Sequence, residues 1–262
     1  MQKQKRLFRL SFLLCLIALV VSLAFNALLF LQARQYYLQL NKTNLDPLGL
    51  SGFSANSLPN DISVASTATV VFFGDSRAEM WLVPPNLKGF SFVNRGINTQ
   101  TSAQVLGRFD EHILPLRPNI IIVQVGINDL KTIPLFTEQK TAIITNCKTN
   151  IQQLVARSVN SGATVILTTI FPIGPVPLTR QSFWSPDIAQ AINEVNAYLY
   201  SLKTKNVLIL DTYSLLAKNG QVQNDYVYDT LHINEKGYKK LNQELTKMLS
   251  TWLIDKNFNG KS

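Results

Sequence analysis

The pattern of apolar and polar positions divides the chain into an apolar N-terminal run, a polar connecting segment and a long region of alternating periodicities. In that region, five short runs are apolar on both faces, as is typical of buried parallel strands. These predicted strands are Thr69–Phe73, Phe90–Val93, Ile120–Val125, Thr164–Thr169 and Val207–Leu210. Helical patterns separate or follow them at Thr101–His112, Thr137–Asn160, Pro186–Thr204 and Asn234–Leu253. Strands alternating with helices predict a three-layer α/β domain with a central parallel sheet.

The N-terminal run predicts a membrane anchor. Leu10–Leu31 is almost wholly apolar, and a helix of that length would measure about 33 Å, enough to cross the hydrocarbon core of a bilayer. Four basic residues precede the run: Lys3, Lys5, Arg6 and Arg9. By the positive-inside rule they stay in the cytoplasm, which predicts that the rest of the chain lies outside it, in the periplasm or the extracellular space.

A cleaved signal peptide is the alternative for this segment. Such peptides have an apolar stretch of about 7–15 residues that ends at a small-x-small site. The run here is longer, and Leu31-Gln32-Ala33 is a poor cleavage site. The predicted organisation is therefore a basic tip and transmembrane signal anchor at residues 1–31, a linker rich in Ser, Asn, Pro and Gly at 32–66, and a folded domain at 67–262.

The net charge of the chain does not alter the predicted domain organisation. The formal net charge is +9, but removing the N-terminal 31 residues leaves 21 basic and 16 acidic residues, a net charge of +5. Beyond the N-terminus the basic residues form no long run, and no zinc-finger or RNA-binding spacing occurs. Nucleic acid is therefore not expected as a partner, and the sequence does not indicate an oligomeric state.

Candidate chemistry begins directly after the first predicted strand, at Gly74-Asp75-Ser76-Arg77. Gly74 permits a sharp turn, and Ser76 then stands at the start of a helix, where backbone N–H groups favour a developing anion. The same residues also fit an ordinary turn followed by a helix cap. Ser76 is thus a candidate nucleophile that requires a base.

The C-terminal part supplies that base. Histidine is the usual general base at neutral pH, and the chain has two, His112 and His232. Only His232 follows an aspartate by three residues. At that spacing Asp229 can accept a hydrogen bond from one ring nitrogen while the other faces the serine. The alternative for His232 is an exposed histidine near a helix start, whereas His112 is expected to cap the end of its helix.

A third motif, Gly126-Ile127-Asn128-Asp129, follows the third predicted strand. A neutral amide at the end of a central strand is well placed to donate to an oxyanion, although Asn and Asp also commonly end strands in turns. Because parallel strands end at the same edge of their sheet, the serine and asparagine motifs are expected to meet there.

Together these motifs resemble the SGNH hydrolases, also called the GDSL esterase and lipase superfamily, over about residues 69–253. That family has Gly-Asp-Ser after its first strand, Gly-x-Asn-Asp after its third and Asp-x-x-His near its C-terminus. The resemblance implies a flavodoxin-like sandwich in which Ser76 is the nucleophile, His232 the base and Asp229 its orienting partner. It also implies that Ser76 and Asn128 contribute to the oxyanion hole, and that no metal or organic cofactor is needed.

The second block departs from the family. Asn94-Arg95-Gly96-Ile97-Asn98-Thr99-Gln100-Thr101 resembles Asn-x-Gly-Ile-Gly-Gly-x-Thr, in which the last glycine donates its backbone N–H to the oxyanion. Thr99 occupies that position. Gly96 matches the earlier, structural glycine, although a simple reading of the motif makes Gly96 the oxyanion residue. Glycine readily adopts a positive φ, which β-branched residues tolerate poorly. With threonine at this position we therefore expect a reshaped loop or a weakened oxyanion hole.

The resemblance and the predicted anchor together predict a membrane-bound serine esterase that acts through an acyl-serine on an envelope ester, either an O-acetylated glycan or a lipid-derived ester. The family also contains thioesterases and acyltransferases, so the acyl acceptor stays open. The alternative is a catalytically weak domain that binds an envelope glycan or a partner protein. A Pro-rich segment at residues 171–177, with Phe183 and Trp184, is expected to border the pocket.

Overall fold

The computed structural model describes residues 1–53, 67–85 and 87–259, in two compact units, Met1–Gly49 and Leu50–Ser262. The first unit is dominated by helix α1 (Gln2–Leu45), which has no buried residue. By length and composition α1 could cross a membrane, and a signal sequence would pass the same test. The helix continues 14 residues beyond Leu31, so the first part of the predicted linker is helical. The stretch 54–66 is not among the described residues.

A parallel sheet forms the centre of the second unit. Its strands are β1 (Ala68–Gly74), β2 (Phe90–Gly96), β3 (Ile120–Gln124), β4 (Thr164–Thr168) and β5 (Val207–Leu210). Neighbouring strands pair in the order β2-β1-β3-β4-β5, all in parallel. A separate antiparallel hairpin pairs β6 (Ala217–Lys218) with β7 (Gln221–Val222).

Helices connect the strands and cover the sheet. The long ones are α6 (Lys140–Asn160), α8 (Asp187–Ser201) and α10 (Glu235–Asn259). The short ones are α2 (Ser76–Glu79), α3 (Ser102–Gly107), α4 (Phe109–Ile113), α5 (Ile127–Leu130), α7 (Leu178–Gln181) and α9 (Thr212–Leu216). Single 3-10 turns occur at Leu50–Gly52, Leu114–Leu116, Ile133–Leu135, Thr137–Gln139 and Asn224–Tyr226.

Side chains that alternate along each central strand enter two separate cores. Val71 and Phe73 of β1 pack in the core that contains residues of α3, α4, α6 and α8. Val70 and Phe72 pack on the opposite face, in the core that contains residues of α9 and α10. Successive residues of a strand point to opposite faces, so a strand buried on both sides must be apolar throughout. The structure is therefore the predicted three-layer α/β sandwich.

One predicted helix is wrong in detail. The segment Thr101–His112 forms two short helices, α3 and α4, rather than one. The break falls at Arg108, whose backbone (φ −100°, ψ 9°) leaves the helical region. Its side chain is fully buried and its Nη2 donates to the backbone oxygen of Gly74 at 2.9 Å. This long-range contact accompanies the break, and local periodicity does not reveal it.

Candidate active site

Three sequence motifs meet at the carboxyl edge of the sheet. Gly74, the last residue of β1, is paired with Gly96 of β2 on one side and Gln124 of β3 on the other. Just beyond the strands, the Asp75 N–H donates to Gln124 O at 3.1 Å, and the Ile97 N–H donates to Gly74 O at 3.0 Å. Backbone hydrogen bonds therefore hold the starts of the serine motif and the second block side by side.

Glycine is required at two of these positions because the backbone approaches so closely. A Cβ at Gly74 would lie 1.7 Å from the backbone oxygen of Gln124, and a Cβ at Gly96 would lie 2.1 Å from the backbone nitrogen of Glu79. The Gly96 N–H itself donates to Asn94 Oδ1 at 2.8 Å. Gly96 therefore packs the second block against α2, and its N–H already has a partner within the loop.

The turn after β1 presents Ser76 at the start of α2. Asp75 caps this helix by accepting a hydrogen bond from the Arg77 N–H at 2.9 Å. Ser76 is 5% exposed. Its hydroxyl lies at the carboxyl edge of the sheet, where open α/β sheets bind their ligands.

Ser76, His232 and Asp229 form a continuous hydrogen-bonded chain. Ser76 Oγ lies 2.9 Å from His232 Nε2, and His232 Nδ1 lies 2.9 Å from Asp229 Oδ2 and 3.0 Å from Oδ1. A carboxylate only accepts hydrogen bonds, so the proton belongs on Nδ1 and Nε2 is left to accept from the serine. This is the tautomer that a general base requires in acyl transfer.

The loop that carries the histidine also fixes its carboxylate. Asp229 Oδ1 accepts from the backbone N–H groups of Leu231 at 2.7 Å and His232 at 2.8 Å. Partial burial raises the pKa of the Asp229 carboxyl, but the hydrogen bonds from His232 and from these backbone groups outweigh it and hold the pKa below its ordinary value. Asp229 is therefore ionised at neutral pH and keeps the imidazole oriented.

Asn128, which lies in α5 after β3, is 4% exposed. Its Nδ2 donates to the backbone oxygen of Gln100 at 3.0 Å, and its Oδ1 accepts from Lys131 Nζ at 2.6 Å. The amide nitrogen carries two protons, so one remains for another acceptor. Because Gln100 directly follows Thr99, this hydrogen bond ties the third motif to the second block.

Thr99 has a backbone conformation that favours glycine. Its φ is +65°, in the left-handed region, and its side chain is exposed. The family glycine at this position would adopt that conformation without strain. Thr99 therefore has a glycine-like backbone conformation and carries the strain that a Cβ brings to it.

Asp129, the last residue of the third motif, binds Ser102, which directly follows the second block. Its carboxylate accepts from the Ser102 N–H at 2.8 Å and from Ser102 Oγ at 2.6 Å. Burial raises the pKa of the Asp129 carboxyl, and the two Ser102 hydrogen bonds oppose that rise. The carboxylate thereby anchors the first residue of α3 beside the site.

Two buried arginines that the sequence analysis did not assign to the site support the serine turn. Arg108 donates to Gly74 O and to the side chain of Gln100, and burial together with the charge of Arg95 lowers its pKa to about 9. Arg77, which directly follows the candidate nucleophile, is also fully buried. Buried basic residues of this kind give no signal in a hydrophobicity pattern.

Arg77 connects the serine turn to the histidine loop. Its Nε donates to Leu231 O at 2.8 Å, and its guanidinium carbon lies 4.9 Å from the centre of the Phe171 ring. Burial lowers the pKa of Arg77 to about 10, against the attraction of Asp75. Arg77 Nη2 and Asp75 Oδ2 are buried and make no hydrogen bond to any described residue, so this pair interacts through charge.

His112 lies outside the candidate catalytic group, in the last turn of α4. It is 3% exposed, and its Nδ1 lies 3.1 Å from Arg108 Nη1. Because an arginine only donates, Nδ1 accepts and Nε2 carries the proton. His112 therefore accepts a hydrogen bond from Arg108, which in turn donates to Gly74 O at the start of the serine turn.

The Pro-rich segment 171–177 packs against the histidine loop. The Gly174 N–H donates to Thr230 O at 2.8 Å, and Thr230 Oγ1 donates to Pro175 O at 3.0 Å. Trp184 is partly buried against the core, whereas Phe183 is 63% exposed. The segment thus borders the loop that carries Asp229 and His232. Within the described residues, no cluster of three or more His, Cys, Asp or Glu side chains is placed to hold a metal ion.

Solved structures share this fold at low sequence identity. A provisionally assigned acylhydrolase from Bacteroides fragilis is 24% identical, with a TM-score of 0.60 over 76% of this chain and 93% of that chain. A GDSL-like lipase from Bacteroides thetaiotaomicron is 21% identical, with a TM-score of 0.58 over 75% and 94%. An acetylxylan esterase from Geobacillus stearothermophilus is 18% identical, with a TM-score of 0.53 over 70% and 94%.

Comparison with curated protein sequences found no significant match. The sequence profile of the GDSL-like lipase/acylhydrolase family, in contrast, matches residues 68–240. That range contains β1 to β5, the serine turn, the second block, the Asn128 motif and the histidine loop. The chain therefore belongs to the GDSL-like lipase/acylhydrolase family.

Proposed function

We propose that the chain is a serine esterase in which Ser76 is the nucleophile, His232 the general base and Asp229 the group that orients the base. The observation that carries this proposal is the unbroken chain of hydrogen bonds from Ser76 Oγ through His232 to Asp229, with heavy-atom distances of 2.9 and 2.9 Å. Nucleophile, base and orienting group within hydrogen-bond reach are the requirements for a covalent acyl-enzyme.

In the first half-reaction, Ser76 Oγ attacks the ester carbonyl carbon while His232 Nε2 takes the hydroxyl proton. The carbonyl oxygen becomes an oxyanion. When the tetrahedral intermediate collapses, the bond to the leaving oxygen breaks, and that oxygen takes the proton back from Nε2 as the alcohol departs. The acyl group is then bound to Ser76 as an ester.

The second half-reaction repeats these steps with water. His232 Nε2 removes a proton from a water molecule, whose oxygen attacks the acyl-serine carbonyl. Collapse of the second intermediate breaks the bond to Ser76 Oγ, which regains its proton from Nε2, and the carboxylic acid leaves. Asp229, ionised at neutral pH, stabilises the imidazolium in both halves.

The oxyanion would accept hydrogen bonds from the Ser76 N–H, the Thr99 N–H and Asn128 Nδ2. Asn128 has one amide proton left after its bond to Gln100 O. Donors fixed before the reaction stabilise the charge that develops, and each is typically worth roughly 10²–10³ in turnover. Holding Thr99 at φ +65° lets its N–H take the place of the family glycine's.

We infer that the substrate is an ester of the cell envelope, either an O-acetylated glycan or a lipid-derived ester. The GDSL-like lipase/acylhydrolase profile supports ester chemistry. One structural neighbour is named an acetylxylan esterase and another a GDSL-like lipase, so both ester classes occur on this fold. Helix α1, long and apolar enough to cross a membrane, favours a domain anchored at the membrane and outside the cytoplasm.

A weakly active binding domain is the second candidate, because threonine at the oxyanion position strains the loop. A fluorophosphonate probe and a short-chain aryl ester separate the two. The full-length chain should label and hydrolyse, and Ser76→Ala should abolish labelling and lower turnover by roughly 10⁴- to 10⁶-fold. Ser161→Ala, which changes a serine in the turn after α6, should leave both unchanged. A chain that never labels, or a Ser76→Ala chain that stays fully active, would reject the esterase.

A further inference from the structure

Lys131 lies one helical turn after Asn128, at the end of α5. Its Nζ donates to Asn128 Oδ1 at 2.6 Å, a charge-assisted hydrogen bond, and the lysine is only partly exposed. Residues three apart on a helix are neighbours, so α5 itself brings the two side chains together. Lys131 thus contacts the amide proposed to bind the oxyanion.

This contact fixes which way the Asn128 amide faces. Lysine can only donate and the Gln100 carbonyl can only accept, so Oδ1 must face Lys131 and Nδ2 must face Gln100. A flipped amide would place oxygen against oxygen and NH₂ against ammonium. The two contacts therefore hold the amide in one orientation, with the second Nδ2 proton directed away from Gln100.

We propose that Lys131 is a positioning residue of the oxyanion hole, which orients and polarises the Asn128 amide so that Nδ2 donates to the oxyanion. This proposal rests on the proposed esterase function. A cation on the amide oxygen draws electron density from the nitrogen and makes its protons better donors. The positive charge also favours an anion nearby, in a site where burial strengthens electrostatic interactions.

The charged groups around Lys131 come from several elements. Burial lowers the pKa of the Lys131 ammonium, and the positive charges of Arg180 in α7 and Arg77 in α2 act in the same direction. Asp75 before α2 and Asp129 within α5 oppose the drop. Lys131 therefore loses its proton at a lower pH than an exposed lysine does.

The first test compares Lys131→Met with Lys131→Arg on a neutral aryl ester. Lys131→Met should lower kcat roughly 10- to 10²-fold, less than the loss of a whole donor, with KM changed little. Lys131→Arg should recover most of the turnover because it keeps the charge. The matched control is Lys148→Met, which should leave kcat unchanged because Lys148 of α6 pairs with Glu194 of α8 and neither belongs to the candidate site. Equal melting temperatures of the variants would show that each is folded.

A double substitution tests whether Lys131 acts through Asn128. Asn128→Ala alone should lower kcat by roughly 10²–10³. Adding Lys131→Met should lower it further by less than about 2-fold, because the group that the lysine orients is gone. Fully additive losses would overturn the proposal, as would a Lys131→Met effect confined to KM, which would mean that the lysine binds substrate.

The alkaline side of the pH profile gives an independent readout. Wild-type kcat should fall at a pH below the ordinary lysine pKa as Lys131 loses its proton, and Lys131→Arg should not show that fall. Identical alkaline limbs would overturn the proposal. Fluorophosphonate labelling at Ser76 separates this failure from failure of the esterase. If the chain is labelled but its turnover does not depend on Lys131, the proposed esterase function stands and only the positioning role is rejected.

Discussion

At the scale of single residues, the backbone of Thr99 has a conformation that its side chain disfavours. A φ of +65° costs an L-residue with a Cβ roughly 1–2 kcal/mol. Glycine removes that cost but raises the entropy of the unfolded chain, by roughly 0.5–1 kcal/mol. Because the strain relieved is at least as large as the entropy cost, glycine should make the folded state at least as stable as threonine does. Threonine nevertheless provides the same backbone N–H.

Thr99→Gly should therefore raise the free energy of unfolding by about 1 kcal/mol or leave it unchanged. If strain misdirects the N–H, turnover on an aryl ester should also rise. Asn219→Gly is the matched control: Asn219 has a φ of +54° in the β6–β7 hairpin and does not belong to the candidate site. A Thr99→Gly chain that is less stable and no faster would mean that the loop already presents its donor correctly.

The sequence alone identifies the proposed catalytic groups better than the groups that hold them in place. Ser76, Asp229 and His232 stand out because they occur in short motifs with fixed spacing. Arg108 and Lys131 act through contacts that depend on the folded chain, at Gly74 O and Asn128 Oδ1. No pattern in a single sequence marks them, because a lysine in a short helix or an arginine between apolar residues is common.

At the scale of elements, helix α2 begins at a buried pair of opposite charges, Asp75 and Arg77. Burial raises the pKa of Asp75 to about 6, against the attraction of Arg77. The folded state therefore binds the Asp75 proton more tightly than the unfolded chain, whose carboxyl has its ordinary pKa. Between about pH 4 and pH 6 the folded state holds more protons, so Asp75 makes stability fall as the pH rises through that range.

Removing either partner should leave the other charge buried. At pH 8, Arg77→Leu should lower the free energy of unfolding by about 3 kcal/mol, because it leaves an ionised Asp75 buried without a partner. Asp75→Asn should change it less, because it also removes the cost of ionising a buried carboxyl, and the double variant should lose clearly less than the sum of the single variants. Urea unfolding of the full-length chain in detergent at pH 5 and pH 8 measures this. In Arg77→Leu the stability should also keep falling above pH 6, because the attraction that limited the Asp75 pKa is lost. Additive losses with unchanged pH dependence would contradict the coupling.

Strand positions were predictable because burial on both faces leaves a continuous apolar run. The five predicted strands match β1 to β5 to within three residues. The β6–β7 hairpin was missed although Asn219-Gly220, a common hairpin turn, lies at its tip. Its strands have two residues each, too few to show an alternating pattern.

At the scale of the whole molecule, the order of the strands brings the motifs together. From β1 the chain continues to β2 on one side, and β3 then pairs with β1 on the other. A crevice forms at the carboxyl ends where the strand order reverses, and open α/β sheets bind their ligands there. Ser76 follows β1 and Asn128 follows β3, so the proposed nucleophile and the proposed amide donor directly follow the two strands that border this crevice.

The long apolar helix leads to a prediction about orientation. If α1 is an uncleaved anchor, the mature chain keeps Leu10–Leu31, and its basic N-terminal residues stay in the cytoplasm. An alkaline phosphatase fused after the last residue should then be active, because that reporter folds only outside the cytoplasm, whereas a cytoplasmic reporter fused there should be silent. Mass spectrometry should find the intact N-terminus in the membrane fraction.

Reversing the N-terminal charge supplies the control. Replacing the four basic residues before Leu10 by glutamate removes the signal that retains the N-terminus, so the orientation should become mixed or inverted and phosphatase activity should fall. A mature chain that begins near Gln35 would show instead that the segment is a cleaved signal sequence. The domain would then be released from the membrane, and its esters would have to be sought in solution or on the cell surface rather than within reach of an anchored enzyme.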